Sequence, residues 1–213
     1  SSTDLILTTD ADCVVDPHWA SSLIQQIQPK TKLVTGPVAV SGRGVLFNAE
    51  FAETLYLMSG GAGAASLGLA FQASGANLAF YKNDFEAFVK SGTGSRFHSG
   101  DDVFFLQYIQ KRYGRKPVVF VQEGKVVVST PSQATLGAWL RQRARWMRKS
   151  GGYIRIDAFV AGFLMLASFA AGIAAAVYLL VSPELYFYSL TCIVLKILGD
   201  VLLLVAAAIK WEL

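Results

Sequence analysis

Charged residues are scarce in this sequence. They make up 16% of its 213 residues, against about 25% in soluble proteins, whereas hydrophobic residues reach 53%. The imbalance is concentrated after Tyr153. A soluble domain of this size would rarely hide so much apolar sequence. The composition therefore predicts one compact domain followed by a membrane segment.

Cysteine and histidine are almost absent. Cys13 and Cys192 lie in segments of different character, one acidic and one apolar, so they are not expected to form a disulfide. The sequence has no CxxC pair or zinc-site spacing, and His18 and His98 are not spaced as ligands. These absences exclude a disulfide scaffold and a structural zinc domain, and they suit a reducing compartment.

An initial Met and a basic-then-apolar secretory leader are also missing. Residues 5 to 9 already have the pattern of a buried strand, although a sheet needs neighbouring strands and few candidates follow. We therefore expect a fragment that lacks its N-terminal portion.

Two long apolar runs predict a transmembrane hairpin over residues 157–213. The first, Ala158 to Val181, contains no charged residue. As a helix it would be roughly 36 Å long, against about 30 Å for the hydrocarbon core of a bilayer. The second, Leu185 to Ile209, contains Lys196 and Asp200, which lie four residues apart and can pair on one helix face. A structural ion pair, or a contact to helices outside this chain, is favoured over a polar conduit lining. Two spans are favoured over a pair of buried core helices.

A basic amphipathic helix is predicted over residues 136–156, directly before the first apolar run. Its cations are Arg141, Arg143, Arg145, Arg148, Lys149 and Arg155. Positive charge collects on the cytoplasmic side of membrane spans, so we expect the preceding domain to be cytoplasmic. Arg141, Arg143 and Arg148 are expected to be free for membrane lipid headgroups.

Residues 1–135 have the pattern of an α/β domain. Strands are predicted at Leu5–Thr9, Leu33–Val40, Val118–Val121 and Lys125–Ser129, and helices at His18–Gln28, Phe47–Met58, Phe85–Lys90 and Val103–Tyr113. Pro37 predicts that the second strand is not central, and Glu123-Gly124 predicts a turn or hairpin between the last two strands. Residues 69–80 are expected to be extended, and the small residues 59–68 fit either a helix or a loop.

Asp10 and Asp12 follow the first predicted strand, at the edge where open α/β sheets bind ligands. Two carboxylates can converge on one hard cation, and Mg²⁺ or Mn²⁺ suits such oxygen ligands when it is shared with substrate phosphates. An EF-hand is excluded because its loop would need Gly at Val15 and Glu at Ser21. A helix cap fits Asp16 better than Asp10.

Asp101 and Asp102 follow Gly100 and directly precede a predicted helix. One interpretation is a helix cap with favourable dipole placement. The other is a division of roles, in which hydrogen bonds hold one carboxylate while the other accepts a proton. The pair alone does not decide between them.

The segment from Gln142 to Trp146 is more specific. On a helix Gln142, Arg145 and Trp146 share one face. An arginine can bind a diphosphate with two hydrogen bonds, glutamine adds another, and tryptophan offers a flat surface to a sugar ring. Interfacial anchoring by tryptophan and arginine is the simpler interpretation, and the two are compatible.

Four clusters in this order resemble the membrane-anchored family 2 glycosyltransferases, which include cellulose, chitin and hyaluronan synthases. The clusters are Thr9-Asp10-Ala11-Asp12, Gly75-Ala76-Asn77, Gly100-Asp101-Asp102 and Gln142-Arg143-Ala144-Arg145-Trp146. The resemblance covers about residues 4 to 155. It implies a Rossmann-like GT-A fold, here a partial domain over residues 1–135, in an integral protein of a bacterial cytoplasmic membrane.

The resemblance further implies inverting transfer from a nucleotide-diphosphate sugar to a saccharide or lipid-linked hydroxyl, in polysaccharide or glycolipid synthesis and without nucleic acid. Asp10 and Asp12 would hold Mg²⁺ or Mn²⁺ on the donor diphosphate, and Asp102 would be the general base. Asp101, where many members carry Glu, would support it. The residues implied in binding donor or acceptor are Gly75, Asn77, Gln142, Arg145 and Trp146. Because the family's nucleobase-binding N-terminal region is missing, the fragment alone is expected to turn over little.

Two other classes fit parts of the pattern. A non-catalytic membrane scaffold or transport subunit would use the acids as helix caps. A metal-dependent phosphoryl-transfer enzyme would usually need more carboxylate or histidine ligands for two metals. The glycosyltransferase hypothesis requires that folding bring Asp12, Asp102 and Arg145 to one cavity.

Overall fold

The computed structural model of the chain describes residues 4–93, 100–150 and 156–213. His98 and Arg155 lie outside these ranges, as does the junction that joins the predicted basic helix to the first apolar run. The described part is a mixed α/β domain followed by two long helices, as the sequence predicts.

A four-stranded mixed sheet lies at the centre of the domain. Its strands are β1 (Leu5–Thr8), β2 (Leu33–Thr35), β4 (Leu78–Tyr81) and β5 (Val118–Phe120), in the spatial order β1-β4-β2-β5. β4 is antiparallel to β1 and β2, whereas β2 and β5 are parallel. A second, two-stranded sheet pairs β3 (Val38–Ser41) with β6 (Val128–Pro131) in parallel. Because β1, β2 and β5 share one direction, their carboxyl ends meet at one edge.

Seven helices flank and follow the sheets in the described residues. They are α1 (Trp19–Gln25), α2 (Val45–Ser66), α3 (Lys82–Lys90), α4 (Asp101–Tyr113), α5 (Leu136–Ser150), α6 (Ile156–Val181) and α7 (Tyr186–Trp211), with 3₁₀ turns at Gly124–Val126 and Pro183–Leu185. The small residues 59–66, left open by the sequence, continue α2 as a helix.

The expectation that the second strand avoids the centre is wrong. β2 lies between β4 and β5, because Pro37 comes after the strand has ended and removes no hydrogen bond from it. The chain then crosses into the second sheet as β3. The crossing needs glycine at residue 36, since a Cβ there would lie 2.5 Å from Nδ2 of Asn77.

Of the two alternatives predicted at Glu123-Gly124, the structure has the turn, a 3₁₀ turn at Gly124–Val126, and not the hairpin. β5 pairs with β2 in the large sheet, and β6 pairs with β3 in the small one, so the two never pair with each other. The segment 69–80 is predicted to be extended, but only its last residues, from Leu78 onward, form a strand, β4. Strand partners are set by contacts far apart in sequence, which local patterns do not report.

One face of the large sheet is covered by a core rich in phenylalanine. Phe80 of β4, Phe88 of α3 and Phe105 of α4 are buried together, and the Phe80 and Phe105 rings meet edge to face at 5.1 Å. Aromatic pairs of this geometry add to the hydrophobic gain of burial. This core fixes α4 against the sheet and so places the first turn of α4 at the sheet edge.

Among the described residues, α7 is the helix that is long and apolar enough to span a membrane. Only 6% of its most apolar window is buried. In α6 the corresponding described stretch, Leu166–Val181, is shorter, so the first predicted span stays a prediction. The C-terminal end of α7 returns to the domain, where Trp211 packs with Leu55 and Met58 of α2.

Lys196 and Asp200 pair on α7, as their spacing predicts. Lys196 Nζ lies 2.7 Å from Oδ1 of Asp200. The same ammonium group lies 5.9 Å from the ring centre of Tyr56 on α2 and 5.1 Å from that of Phe169 on α6. The ion pair therefore lies where α2, α6 and α7 meet. Burying a cation there costs less free energy than burying an isolated one, because it has a carboxylate partner and aromatic rings beside it.

Candidate active site

A cavity of about 830 Å³ opens at the edge where β1 and β2 end and β4 begins. Of the residues that the resemblance implies in the site, all but Asn77 line it: Asp10, Asp12, Gly75, Asp101, Asp102, Gln142, Arg145 and Trp146. Cys13, Ala76, Gly100 and Arg143 line it as well. Asp12, Asp102 and Arg145 thus share one cavity, as the glycosyltransferase hypothesis requires. The volume is that of a site for an organic ligand of nucleotide size.

The sheet register explains why residues so distant in sequence meet here. Thr8 and Thr35 both lie opposite Leu78, so the segments after β1 and β2 lie beside the segment before β4. The Thr8 hydroxyl donates to the carbonyl oxygen of Gly75 at 2.7 Å, which ties the loop before β4 to the end of β1. The acidic pair and the glycine loop therefore form adjoining walls.

The acidic pair after β1 has the chemistry of a divalent-cation site. Ligand atoms of Asp10, Asp12 and Cys13 lie within 4.8 Å of one another, and both carboxylates are exposed toward solvent. Carboxylate oxygens are the ligands that Mg²⁺ and Mn²⁺ prefer, and a site with few protein ligands suits a cation shared with substrate phosphates. The residues present fit such an ion.

Cys13 differs from its acidic neighbours. Burial raises the pKa of its thiol, and the nearby carboxylates of Asp12 and Asp10 raise it further, although a hydrogen bond from Thr130 acts the other way. A thiol with a raised pKa stays protonated at neutral pH, and only the thiolate is a good metal ligand. The oxygen ligands of the aspartates therefore remain the expected metal-binding groups.

Asp102 is held by backbone hydrogen bonds in the first turn of α4. Its Oδ2 accepts the N–H of Gly75 at 3.1 Å, and its Oδ1 accepts the N–H of Val103 at 2.8 Å. Each oxygen keeps a second lone pair, so the half-buried carboxylate can still accept a proton inside the cavity. Asp101, its neighbour, is exposed.

Asn77 is buried and lies outside the cavity lining. Its Oδ1 accepts the indole N–H of Trp19 at 3.0 Å, and its Nδ2 donates to the carbonyl oxygens of Pro37 and Val126, each at 2.7 Å. The side chain thus joins α1, the link between the two sheets and the first 3₁₀ turn. In this geometry the side chain of Asn77 supports the loop that contains Gly75, and it is not part of the cavity lining.

We predict that Asn77→Ala strongly destabilises the fold. The substitution leaves the indole N–H of Trp19 and the carbonyl oxygen of Val126 without their partner, whereas the carbonyl oxygen of Pro37 keeps the N–H of Val128 at 3.1 Å. Each buried group left without a partner costs about 1–3 kcal/mol. The free energy of unfolding should fall by about 2 kcal/mol or more. Asn48→Ala, at an exposed position of α2, is the control and should change it by less than about 0.5 kcal/mol. Equal unfolding midpoints for the two variants would show that the buried network contributes little.

α5 contributes the basic wall of the cavity. Thr135 caps the helix by accepting the N–H of Ala138 at 3.1 Å, and Gln142, Arg145 and Trp146 then line the cavity from consecutive turns. Trp146 keeps 39% of its surface exposed, as a stacking platform requires. The predicted shared face of these three residues is the one that faces the cavity.

The expectation that Arg143 is free for lipid headgroups is wrong. Its side chain is 14% exposed, and its guanidinium Nε lies 2.8 Å and 2.9 Å from the two carboxylate oxygens of Glu53 on α2. Glu50, one turn earlier on α2, is 2% exposed and lies 3.5 Å from the same guanidinium. Sequence reasoning missed both glutamates, although two acids three residues apart in an otherwise apolar helix were a signal.

The comparison with protein families agrees with this geometry. A model described as glycosyl transferase family group 2 matches residues 5–208. The match runs from the first strand, through the cavity-lining segments, into α7. A comparison with curated proteins finds no match. Because the family model spans nearly the whole sequence and its range contains every wall of the cavity, the chain belongs to glycosyl transferase family group 2.

Proposed function

We propose that the chain carries the site of an inverting glycosyltransferase, which moves a sugar from a nucleotide-diphosphate donor to a hydroxyl group of a saccharide or lipid-linked acceptor. One observation supports this above the others. A single cavity combines a carboxylate pair for a cation, a separate carboxylate that can accept a proton, and a basic helix with an exposed indole. Transfer from a sugar diphosphate needs positive charge on the leaving diphosphate and a base for the acceptor proton, and these groups can supply both.

Asp102 is the proposed general base. The acceptor hydroxyl loses its proton to Asp102 as its oxygen attacks the anomeric carbon, and the bond from that carbon to the diphosphate oxygen breaks. Attack from the side opposite the leaving group inverts the anomeric configuration. The hydrogen bonds from Gly75 and Val103 hold the carboxylate in one orientation, so that little reorganisation accompanies proton transfer.

Arg145 and the acidic pair are proposed to bind the donor diphosphate from two sides. Mg²⁺ or Mn²⁺, held by Asp10 and Asp12, would supply electrostatic stabilisation to the departing nucleoside diphosphate. Arg145 can add two hydrogen bonds to the same oxygens, and Trp146 offers its ring to the acceptor sugar. Gly75 is proposed to act through its N–H to Asp102, and Asn77 through the loop that contains Gly75.

A membrane location is proposed from the apolar helices. Most of the exposed surface of α7 is apolar apart from the Lys196–Asp200 pair and Lys210 near its end, and such a surface is costly in water and favourable in a bilayer. The exposed arginines Arg141 and Arg148 of α5 precede these helices and suit anionic lipid headgroups on the cytoplasmic side of a bacterial membrane.

A donor screen on the intact protein in detergent or native membranes tests the proposal. Each of a panel of nucleotide sugars, including UDP-glucose, UDP-N-acetylglucosamine and GDP-mannose, is supplied with Mn²⁺, and the released nucleoside diphosphate is measured. We expect release from at least one donor that stops when the metal is chelated. A protein that binds and turns over none of the panel would instead fit the scaffold alternative.

A further inference from the structure

Arg143 is paired inside the protein, whereas Arg141, Arg145 and Arg148 of the same helix are exposed. Two carboxylates of α2 accept hydrogen bonds from it. Nε donates to both oxygens of Glu53, and NH2 donates to Glu53 and, at 3.5 Å, to Glu50. Glu50 also accepts the backbone N–H of Gln133 at 2.8 Å, just before α5 begins. We call Glu50, Glu53 and Arg143 the α2–α5 clamp.

The clamp also determines how Gln142 is presented to the cavity. The NH1 group of Arg143 donates to Oε1 of Gln142. Because a guanidinium can only donate, the oxygen of the amide must face Arg143. The amide nitrogen is therefore the group that Gln142 can offer to a ligand in the cavity that it lines. Gln142 is thereby set as a hydrogen-bond donor.

The same guanidinium supports two indole rings. Its central carbon lies 4.3 Å from the ring centre of Trp146 and 5.5 Å from that of Trp139. Trp139 is fixed as well, since its N–H donates to Glu53 at 3.1 Å. One face of Trp146 is thus occupied by a cation that is itself held in place, while the ring still lines the cavity.

We propose that Arg143 is a positioning residue, which α2 holds through Glu50 and Glu53 so that Gln142 donates a hydrogen bond into the cavity and Trp146 presents one ring face to it. This inference rests on the proposed function for the identity of the ligand. The recognised groups are oxygen acceptors, a diphosphate or sugar hydroxyl for Gln142, and a sugar ring for Trp146. Arg143 also lines the cavity, but each of its three guanidinium nitrogens donates to Glu53 or Gln142, so the role needs no contact between Arg143 and the substrate.

Gln142→Glu separates this role from a purely structural one. Glutamate still accepts from Arg143, so the clamp is kept and the thermal midpoint of unfolding should not fall. However, glutamate has no N–H to donate and adds negative charge beside a diphosphate. We expect kcat/KM for the donor found in the screen to fall by about 10- to 100-fold, the range for loss of one charge-assisted hydrogen bond.

Arg143→Met removes the clamp while keeping much of the side-chain volume. We expect kcat/KM to fall by about 100-fold, since displacement of binding groups by about 1 Å can have that effect. Arg141→Met is the matched control, because Arg141 is exposed on the same helix and loses the same charge without lining the cavity. It should keep the donor KM of the wild type.

The results that overturn the proposal are distinct. A normal kcat/KM in Gln142→Glu contradicts it even if Arg143→Met fails to fold, and so does normal turnover by Arg143→Met. Absence of turnover in the wild type would count against the proposed function instead. A crystal structure of Arg143→Met then decides the positioning role without any assay. We expect the Gln142 amide and the Trp146 ring to be displaced, and their unchanged positions would refute the role.

Discussion

Asp102→Asn is expected to lower kcat by about 10²- to 10⁴-fold, the range that general-base catalysis supplies. The asparagine has nearly the same shape but its amide cannot take a proton from an acceptor hydroxyl. The donor is bound by other groups of the cavity, so its dissociation constant should change little. Both quantities are measured on the intact protein, by nucleoside diphosphate release and by equilibrium binding of the donor.

The hydrogen bonds of Asp102 make the control essential. The NH2 group of an asparagine cannot accept a hydrogen bond, so one of the two backbone N–H groups that now donate to Asp102 would lose its acceptor. Part of any loss of activity could therefore come from movement of Gly75. Glu86→Gln, on an exposed acid of α3 outside the cavity, should leave kcat unchanged. If donor affinity fell together with kcat in Asp102→Asn, the carboxylate would be a support for the loop and not the base.

Asp12→Asn is expected to weaken metal-supported donor binding by about 100-fold or more. Outer-shell partners of metal ligands alone contribute about 10- to 100-fold, and this change removes a charge in direct reach of the ion. Titration with Mn²⁺ should require a higher metal concentration for half-maximal donor binding. Asp10→Asn should act in the same direction.

Asp16→Asn is the matched control for the metal titration. Asp16 is an acid in the same loop, but its Oδ1 accepts the N–H of His18 at 2.7 Å and it does not line the cavity. Its replacement should leave the metal dependence unchanged. If Asp12→Asn also left the Mn²⁺ requirement unchanged, the acidic pair would have a role other than metal binding.

Local features of the fold were predictable because local chemistry determines them. The strand that ends before Asp10 lies where apolar periodicity indicates, and the helix predicted from Val103 to Tyr113 is present but begins two residues earlier, at Asp101. The pairing of Lys196 with Asp200 follows from helical spacing alone. The α/β fold class followed from the alternation of such segments.

Features that depend on distant contacts were not predictable in this way. The antiparallel placement of β4 between β1 and β2 depends on which edges meet in three dimensions. Asn77 is a polar residue in a motif that predicts ligand binding, yet it is buried and its side chain hydrogen-bonds to three other segments of the protein. Arg143 has the sequence context of a lipid-facing arginine, and only the packing of α2 against α5 supplies the two glutamates that pair with it.

The central claim is that one nucleoside diphosphate can touch the acidic pair and the basic helix at the same time. A crystal structure of the intact protein with Mn²⁺ and the nucleoside diphosphate of its donor measures this directly, with the ion located by anomalous scattering. We expect the manganese peak between the carboxylates of Asp10 and Asp12, and the diphosphate between that peak and Arg145. A nucleotide bound elsewhere on the protein, with no manganese at the acidic pair, would contradict the account.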